Sequence, residues 1–147
     1  MYKVIKKFDF SAGHRLSENK GACRKLHGHN YVAEVTIVSN VLNSSGAVMD
    51  GGDINKIFQK SIGGKFAHRY ILKKNDTYNE KVIGVLPVND GSACWVEYNP
   101  TAENIAEDIF KIFQRELTIS KKVKVLKVRL YETPTSCVEY SLDTSSL

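Results

Sequence analysis

From His29 to Val38 the chain alternates, with Tyr31, Ala33, Val35 and Ile37 facing one way. Side chains of an extended chain repeat every two residues, so this is a strand with one buried face. The opening segment repeats the pattern through Tyr2, Val4, Phe8 and Phe10, with Lys6 as the exception. A sheet built from such strands leaves one apolar face that helices must cover.

The period changes from Asp53. Ile54, Ile57, Phe58 and Ile62 follow helical spacing, Asp50 or Asp53 can cap the first turn, and Gly63-Gly64 is expected to end the helix. After the polar stretch "KKNDTYNE", "KVIGVLPV" and "ACWVEY" read as hairpin arms joined by "NDGS", whose Asp90-Gly91 suits a tight turn. A second helix starts near Pro100-Thr101, with Ile105, Ile109, Ile112 and Phe113 as its buried stripe. "KVKVLKVRLYE" and "SCVEYSL" are the last strands. Alternation slips between Val123/Val125 and Val128/Leu130, which predicts a bulge near Leu126. The expected architecture is α+β, two helices on one face of an antiparallel sheet, in a single domain spanning residues 1–147. Cys94 and Cys137 read as small buried hydrophobes in strands.

Composition narrows the function. Hydrophobic residues at 42% and charged residues at 25% suit a globular protein, and no apolar run approaches the roughly 18 residues of a membrane span. The N-terminus lacks a signal-peptide core, so a cytoplasmic location is expected. Three cysteines do not suggest a disulfide framework. The net charge of +5 favours a polyanionic ligand, but the basic residues are scattered. With no arginine-rich arm, zinc-finger spacing or RNA-binding aromatic motif, nothing points to nucleic acid.

The chemistry concentrates in "CRKLHGHNY", Cys23 to Tyr31. His27 and His29, at the start of a strand, point to the same side. A catalytic zinc typically keeps three protein ligands and an open position, and His14 in "FSAGHRL" is the best third imidazole, because antiparallel pairing brings the end of the first strand beside the second. The alternative is a set of surface or hydrogen-bonded imidazoles. Cys23 admits two roles: a fourth ligand closing a structural site, or a free thiol acting as base or nucleophile.

In order along the chain, "FSAGHRL", "CRKLHGHNY", "MDGGDI", "AHRYIL", "PTAENIA" and "YETPTS" resemble motifs of the 6-pyruvoyl-tetrahydropterin and 6-carboxy-tetrahydropterin synthase family. The resemblance covers nearly the whole chain. It implies the tunnelling fold, in which sheets of several subunits join into an oligomeric barrel, usually a homohexamer arranged as a dimer of trimers with sites between subunits. It also implies zinc as cofactor, held by His14, His27 and His29, and 7,8-dihydroneopterin triphosphate as substrate. Cys23 and His68 would be catalytic, as base and acid/base partner. Glu132 would accept hydrogen bonds from the pterin, and Thr101 and Glu103, helix-capping residues first, would support the pterin site. Three residues separate Cys23 from His27, which is closer to the bacterial queuosine-pathway type; this implies 6-carboxy-5,6,7,8-tetrahydropterin, acetaldehyde and triphosphate as products, with 6-pyruvoyl-tetrahydropterin synthase activity as the alternative. Arg15, Lys25 and Arg69 lie beside the motifs and are candidates for phosphate contacts or ordinary surface cations.

Two positions depart from the family pattern. Ala67-His68 stands where the family has Asp-His, and an adjacent carboxylate normally orients a working histidine. Ala67 is either an introduced change, a natural one offset by another acid such as Asp53 or Asp76, or the mark of a catalytically impaired pterin-binding homologue. "MDGGDI" has glycine where an aromatic residue is common, away from any proposed catalytic group.

Overall fold

The computed structural model describes residues 1–85, 90–117 and 122–142. Two thirteen-residue strands, β1 (Tyr2–His14) and β2 (His27–Ser39), pair antiparallel from Tyr2 opposite Ser39 to His14 opposite His27. Next comes α1 (Gly51–Ile57), which runs on through a π-helical stretch (Phe58–Gly63) into the short α2 (Gly64–Phe66). Asp50 is its cap, accepting from the Gly52 N–H at 2.7 Å. The expected stop at Gly63-Gly64 does not occur. Both glycines take helical angles, and the run continues until Phe66 is fully buried. Burial of Ile62 and Phe66 outweighs the roughly 1 kcal/mol that each helical glycine costs.

The expected hairpin is also replaced. Residues 77–83 form a helix, α3 (Thr77–Ile83), because Asp76 caps it by accepting from the Tyr78 and Asn79 N–H groups at 2.9 and 3.1 Å. Residues 86–89 of the first arm lie outside the described residues. The second arm is β4 (Ala93–Val96), and it pairs in parallel with β3 (Tyr70–Lys73). Then follow α4 (Ala102–Leu117), β5 (Val123–Thr133) and β6 (Ser136–Ser141). The sheet runs β4-β3-β1-β2-β5-β6. It is mixed rather than antiparallel, since β3 lies parallel to both β1 and β4.

The helical run 51–66 and α4 cover one face. Phe8 stacks on Phe58 with centroids 4.1 Å apart and meets Phe113 at 6.1 Å. Tyr31, Ala33, Val35 and Ile37 from β2 are fully buried beneath them. The predicted bulge is present: Thr36 opposes Lys127 and Ile37 opposes Val125, so Leu126 is the unopposed residue and Val125 and Val128 both reach the core. On the other face, Lys7, Glu34, Arg129 and Glu139 occupy one row across four strands with alternating charge. Their contacts are 3.5, 3.5 and 2.6 Å. Cys137, expected inside, is exposed, because it opposes Tyr131 on this face of an edge strand.

The bulge makes a deletion test possible. Removing Leu126 restores regular alternation and should cost at most about 2 kcal/mol in urea unfolding. Removing Arg129, where pairing is regular, turns the rest of β5 inside out and should cost more than about 4 kcal/mol.

Candidate metal centre and its surroundings

The β1–β2 register sets the site. His14 ends β1 opposite His27, and His29 opposes Ala12, so all three imidazoles leave the same face at the same end. Their Nε2 atoms converge: His14 lies 3.1 Å from His27 and 3.1 Å from His29. Four tetrahedral ligands at zinc–nitrogen distances near 2.0–2.1 Å stand about 3.3 Å apart, close to this spacing. Among the described residues these three form the one cluster able to hold a metal ion, and Cys23 is not part of it.

Tautomers strengthen the argument. His14 Nδ1 sits 2.7 Å from the Pro100 carbonyl, and His27 Nδ1 sits 2.7 Å from that of Lys25. A carbonyl can only accept, so both Nδ1 atoms carry a proton, and in the neutral rings the Nε2 atoms present their lone pairs to each other. Two lone pairs at 3.1 Å repel unless a cation lies between them. Tyr31 Oη, 3.2 Å from His14 Nδ1, closes the site from below. His14 is 1% exposed, and burial, reinforced by the charges of His27 and His29 against the Pro100 hydrogen bond, lowers its pKa to about 4. It is therefore neutral at physiological pH, as a metal ligand must be. The donor set thus fits a zinc-type ion.

Glu132 extends the inward stripe of Val128 and Leu130, at an irregularity in the β5–β6 pairing. Its Oε1 lies 3.8 Å from His14 Nε2 and 3.9 Å from His29 Nε2. Cys23 is exposed on a 3-10 turn (Ala22–Arg24), and its carbonyl accepts from the Leu16 N–H at 3.0 Å. His68 lies outside the imidazole cluster. It has φ of 58°, its N–H donates to the Ser11 carbonyl at 2.7 Å, and it lines a cavity of about 620 Å³ together with His27, His29, Ser11, Asn30 and Tyr70. Thr101 Oγ1 accepts from the Asn104 N–H at 3.3 Å as a helix cap, and Glu103 is exposed in the first turn of α4.

Arg15 is committed internally. It is 7% exposed, donates to Asp76 at 2.8 Å and to Ser17 at 3.2 Å, and lies over the Tyr78 ring. Lys25 remains exposed and Arg69 half-buried beside the His68 cavity. Asp76 is held in turn: burial alone would raise its pKa, but hydrogen bonds from Ser17, Asn79 and Arg15 bring it to about 2. Asp53 pairs with Lys56 at 2.9 Å. Tyr31 and the Pro100 carbonyl are functional parts that the sequence reading did not assign. Tyr31 shares the two-residue period of His27 and His29, which was the available signal; a backbone carbonyl gives none.

A helix-covered mixed sheet that gathers three imidazoles at one end defines a class of metal-site α+β proteins. The comparisons narrow that class. The family model of 6-pyruvoyl tetrahydropterin synthase matches residues 3–143, and the chain belongs to that family. It is 38% identical over 141 residues to the 6-carboxy-5,6,7,8-tetrahydropterin synthase of Rickettsia typhi, covering 95% of this chain and 99% of that one. Its identity to the Haemophilus influenzae protein of the same name is 33% over 144 residues, with 95% and 99% covered. A structure of an uncharacterized protein from Wolinella succinogenes superposes with a TM-score of 0.82 at 25% identity, covering 97% and 98%. The Caenorhabditis elegans 6-pyruvoyl tetrahydropterin synthase shares the fold, with a TM-score of 0.69 at 23% identity over 97% and 96%. The tunnelling-type fold is therefore shared with these synthases.

The lowered His14 pKa has a measurable sign. In metal-free protein the unfolded state takes up the His14 proton first, so stability is full above pH 6.5 and falls as the pH drops towards 4. The contribution lost should be about 3 kcal/mol by urea unfolding, and His14→Asn should flatten that part of the profile.

Proposed function

We propose that this chain is a zinc-dependent 6-carboxy-5,6,7,8-tetrahydropterin synthase. It would convert 7,8-dihydroneopterin triphosphate with release of acetaldehyde and triphosphate, in the route to queuosine. The observation that carries this is the convergence of three Nε2 atoms, on two rings whose Nδ1 atoms are held by backbone carbonyls and a third beside them, in a chain whose relatives bear that name.

His14, His27 and His29 would hold the zinc. When bound, zinc lowers the pKa of substrate hydroxyls and stabilises developing negative charge on oxygen. Cys23 acts as the base that removes protons from the substrate side chain, and its exposed turn leaves the thiol open to a ligand. His68 returns or relays those protons. Glu132 accepts hydrogen bonds from the pterin amino group and ring N–H, and its carboxylate beside two imidazoles keeps a bound pterin against the metal site. Thr101 and Glu103, at the start of α4, support that pocket. His68 lines one cavity with His27 and His29. Membership of the synthase family supports a homohexamer with sites completed between subunits.

Ala67 favours a second reading, a homologue that binds pterin without fast turnover. The test is turnover of dihydroneopterin triphosphate by zinc-loaded protein, with triphosphate and acetaldehyde quantified, for this chain and for Ala67→Asp. The synthase reading expects product from this chain and a faster rate with Ala67→Asp. Retention of pterin without product from either protein would move the chain to the binding class.

Two substitutions separate metal from chemistry. Cys23→Ser should keep zinc and lose on the order of 10² to 10⁴ in rate. His27→Ala should lose zinc affinity by at least about 10², read by chelator competition.

A further inference from the structure

The short segment joining β4 to α4 fastens two parts of the site at once. The Pro100 carbonyl accepts from His14 Nδ1 at 2.7 Å. One residue earlier, Asn99 Oδ1 accepts the backbone N–H of Ser17 at 3.1 Å. Ser17 opens the loop that carries Cys23, and the preceding N–H, of Leu16, donates to the carbonyl of Cys23 itself at 3.0 Å. Asn99 is fixed in turn, because its own carbonyl accepts from the Thr101 N–H at 2.7 Å and from Asn104 Nδ2 at 2.9 Å.

Residues 18–25 of the loop are exposed, so little packing restrains them. Two other anchors near the loop base, Arg15 to Asp76 and Lys73 to Glu18, reach α3 and β3 and not the segment that holds His14. Asn99 thus adds a side-chain tie from the Pro100 segment to the loop, beside the Leu16 N–H bond to Cys23 and the Lys25 carbonyl that holds His27 Nδ1. We propose that Asn99 is a positioning residue: its Oδ1 bond to the Ser17 N–H keys the place of Cys23 to that of His14. This rests on the reading of Cys23 as the base.

The experiment compares the full zinc-loaded chain with Asn99→Ala, which removes the acceptor, and Asn99→Asp, which keeps one. Zinc content, kcat and KM for dihydroneopterin triphosphate, and the iodoacetamide alkylation rate of Cys23 followed by peptide mass are read for each. Asn99→Ala should keep zinc and a KM within about twofold, lose roughly tenfold or more in kcat, and alter Cys23 alkylation by about threefold or more. Asn99→Asp should restore both rates to within about threefold of the parent, as a retained acceptor requires. Equal loss in both variants, or unchanged alkylation and kcat in Asn99→Ala, overturns the proposal. If Asn99→Ala does not fold, Asn104→Ala frees the Asn99 backbone instead, and unchanged alkylation and kcat there overturn it equally. Should the parent be inert while alkylation still responds to Asn99→Ala and not to Asn99→Asp, the positioning role stands and the catalytic reading falls. A parent that turns over with alkylation indifferent to Asn99 has the opposite meaning.

Discussion

The pairing of His14 with His27 at the end of the β1–β2 ribbon is the constraint on which the rest depends. A slip of one residue would send the imidazoles to the opposite face and put Gly13 and Gly28 in their place. Thirteen continuous pairs hold the register, and the buried stripes of both strands penalise any shift along the whole ribbon. Gly13 adds a local condition. A Cβ there would come within 2.4 Å of the Tyr70 ring, so its absence lets β3 pack beside the end of β1.

From that register the electrostatics follow. Burial keeps His14 neutral, and the Pro100 carbonyl decides which nitrogen carries the proton. Tyr31 lies on the same side, and burial, with the Glu132 carboxylate nearby, pushes its phenol far above its ordinary pKa, so it remains a neutral hydroxyl. The site is therefore assembled from imidazole and phenol groups with a single carboxylate at its edge. Such a set accepts a divalent cation without burying opposed charges, and leaves the carboxylate for a partner with N–H groups.

The parts legible in the sequence are those governed by short periods. Alternation gave both long strands, the three-imidazole end and the Leu126 bulge; helical spacing gave the stripes of α1 and α4. The failures have physical causes. In "KVIGVLPV" a β-branched, apolar segment looked extended, yet Asp76 upstream caps a helix that takes in Lys81 to Ile83. "ACWV" looked like a hairpin arm because a strand pattern does not say whether its neighbour is parallel or antiparallel. Gly63-Gly64 looked like a stop, but a glycine pair ends a helix only when no buried residue waits beyond it, and Phe66 does. Asn99 and Pro100 carried no periodic signal, since their contacts join residues more than 80 positions apart.

Ala67 bears on which acid stands beside His68. Of the acids that could stand in for a missing carboxylate, Asp76 is bound by Arg15 and caps α3, and Asp53 pairs with Lys56 at the surface. Neither is free to orient His68. The carboxylate that does share a recess with His68 is Asp9, alongside Ser11 and Asn30. There the Ser11 hydroxyl donates to Asn30 Oδ1 at 2.7 Å. The positive φ of His68, costly for a residue with a Cβ, is held there by its N–H bond to the Ser11 carbonyl. Strain of that kind persists only where surrounding contacts fix it. His68 also lines the cavity that His27 and His29 border, so of these acids Asp9 is the one placed beside that recess.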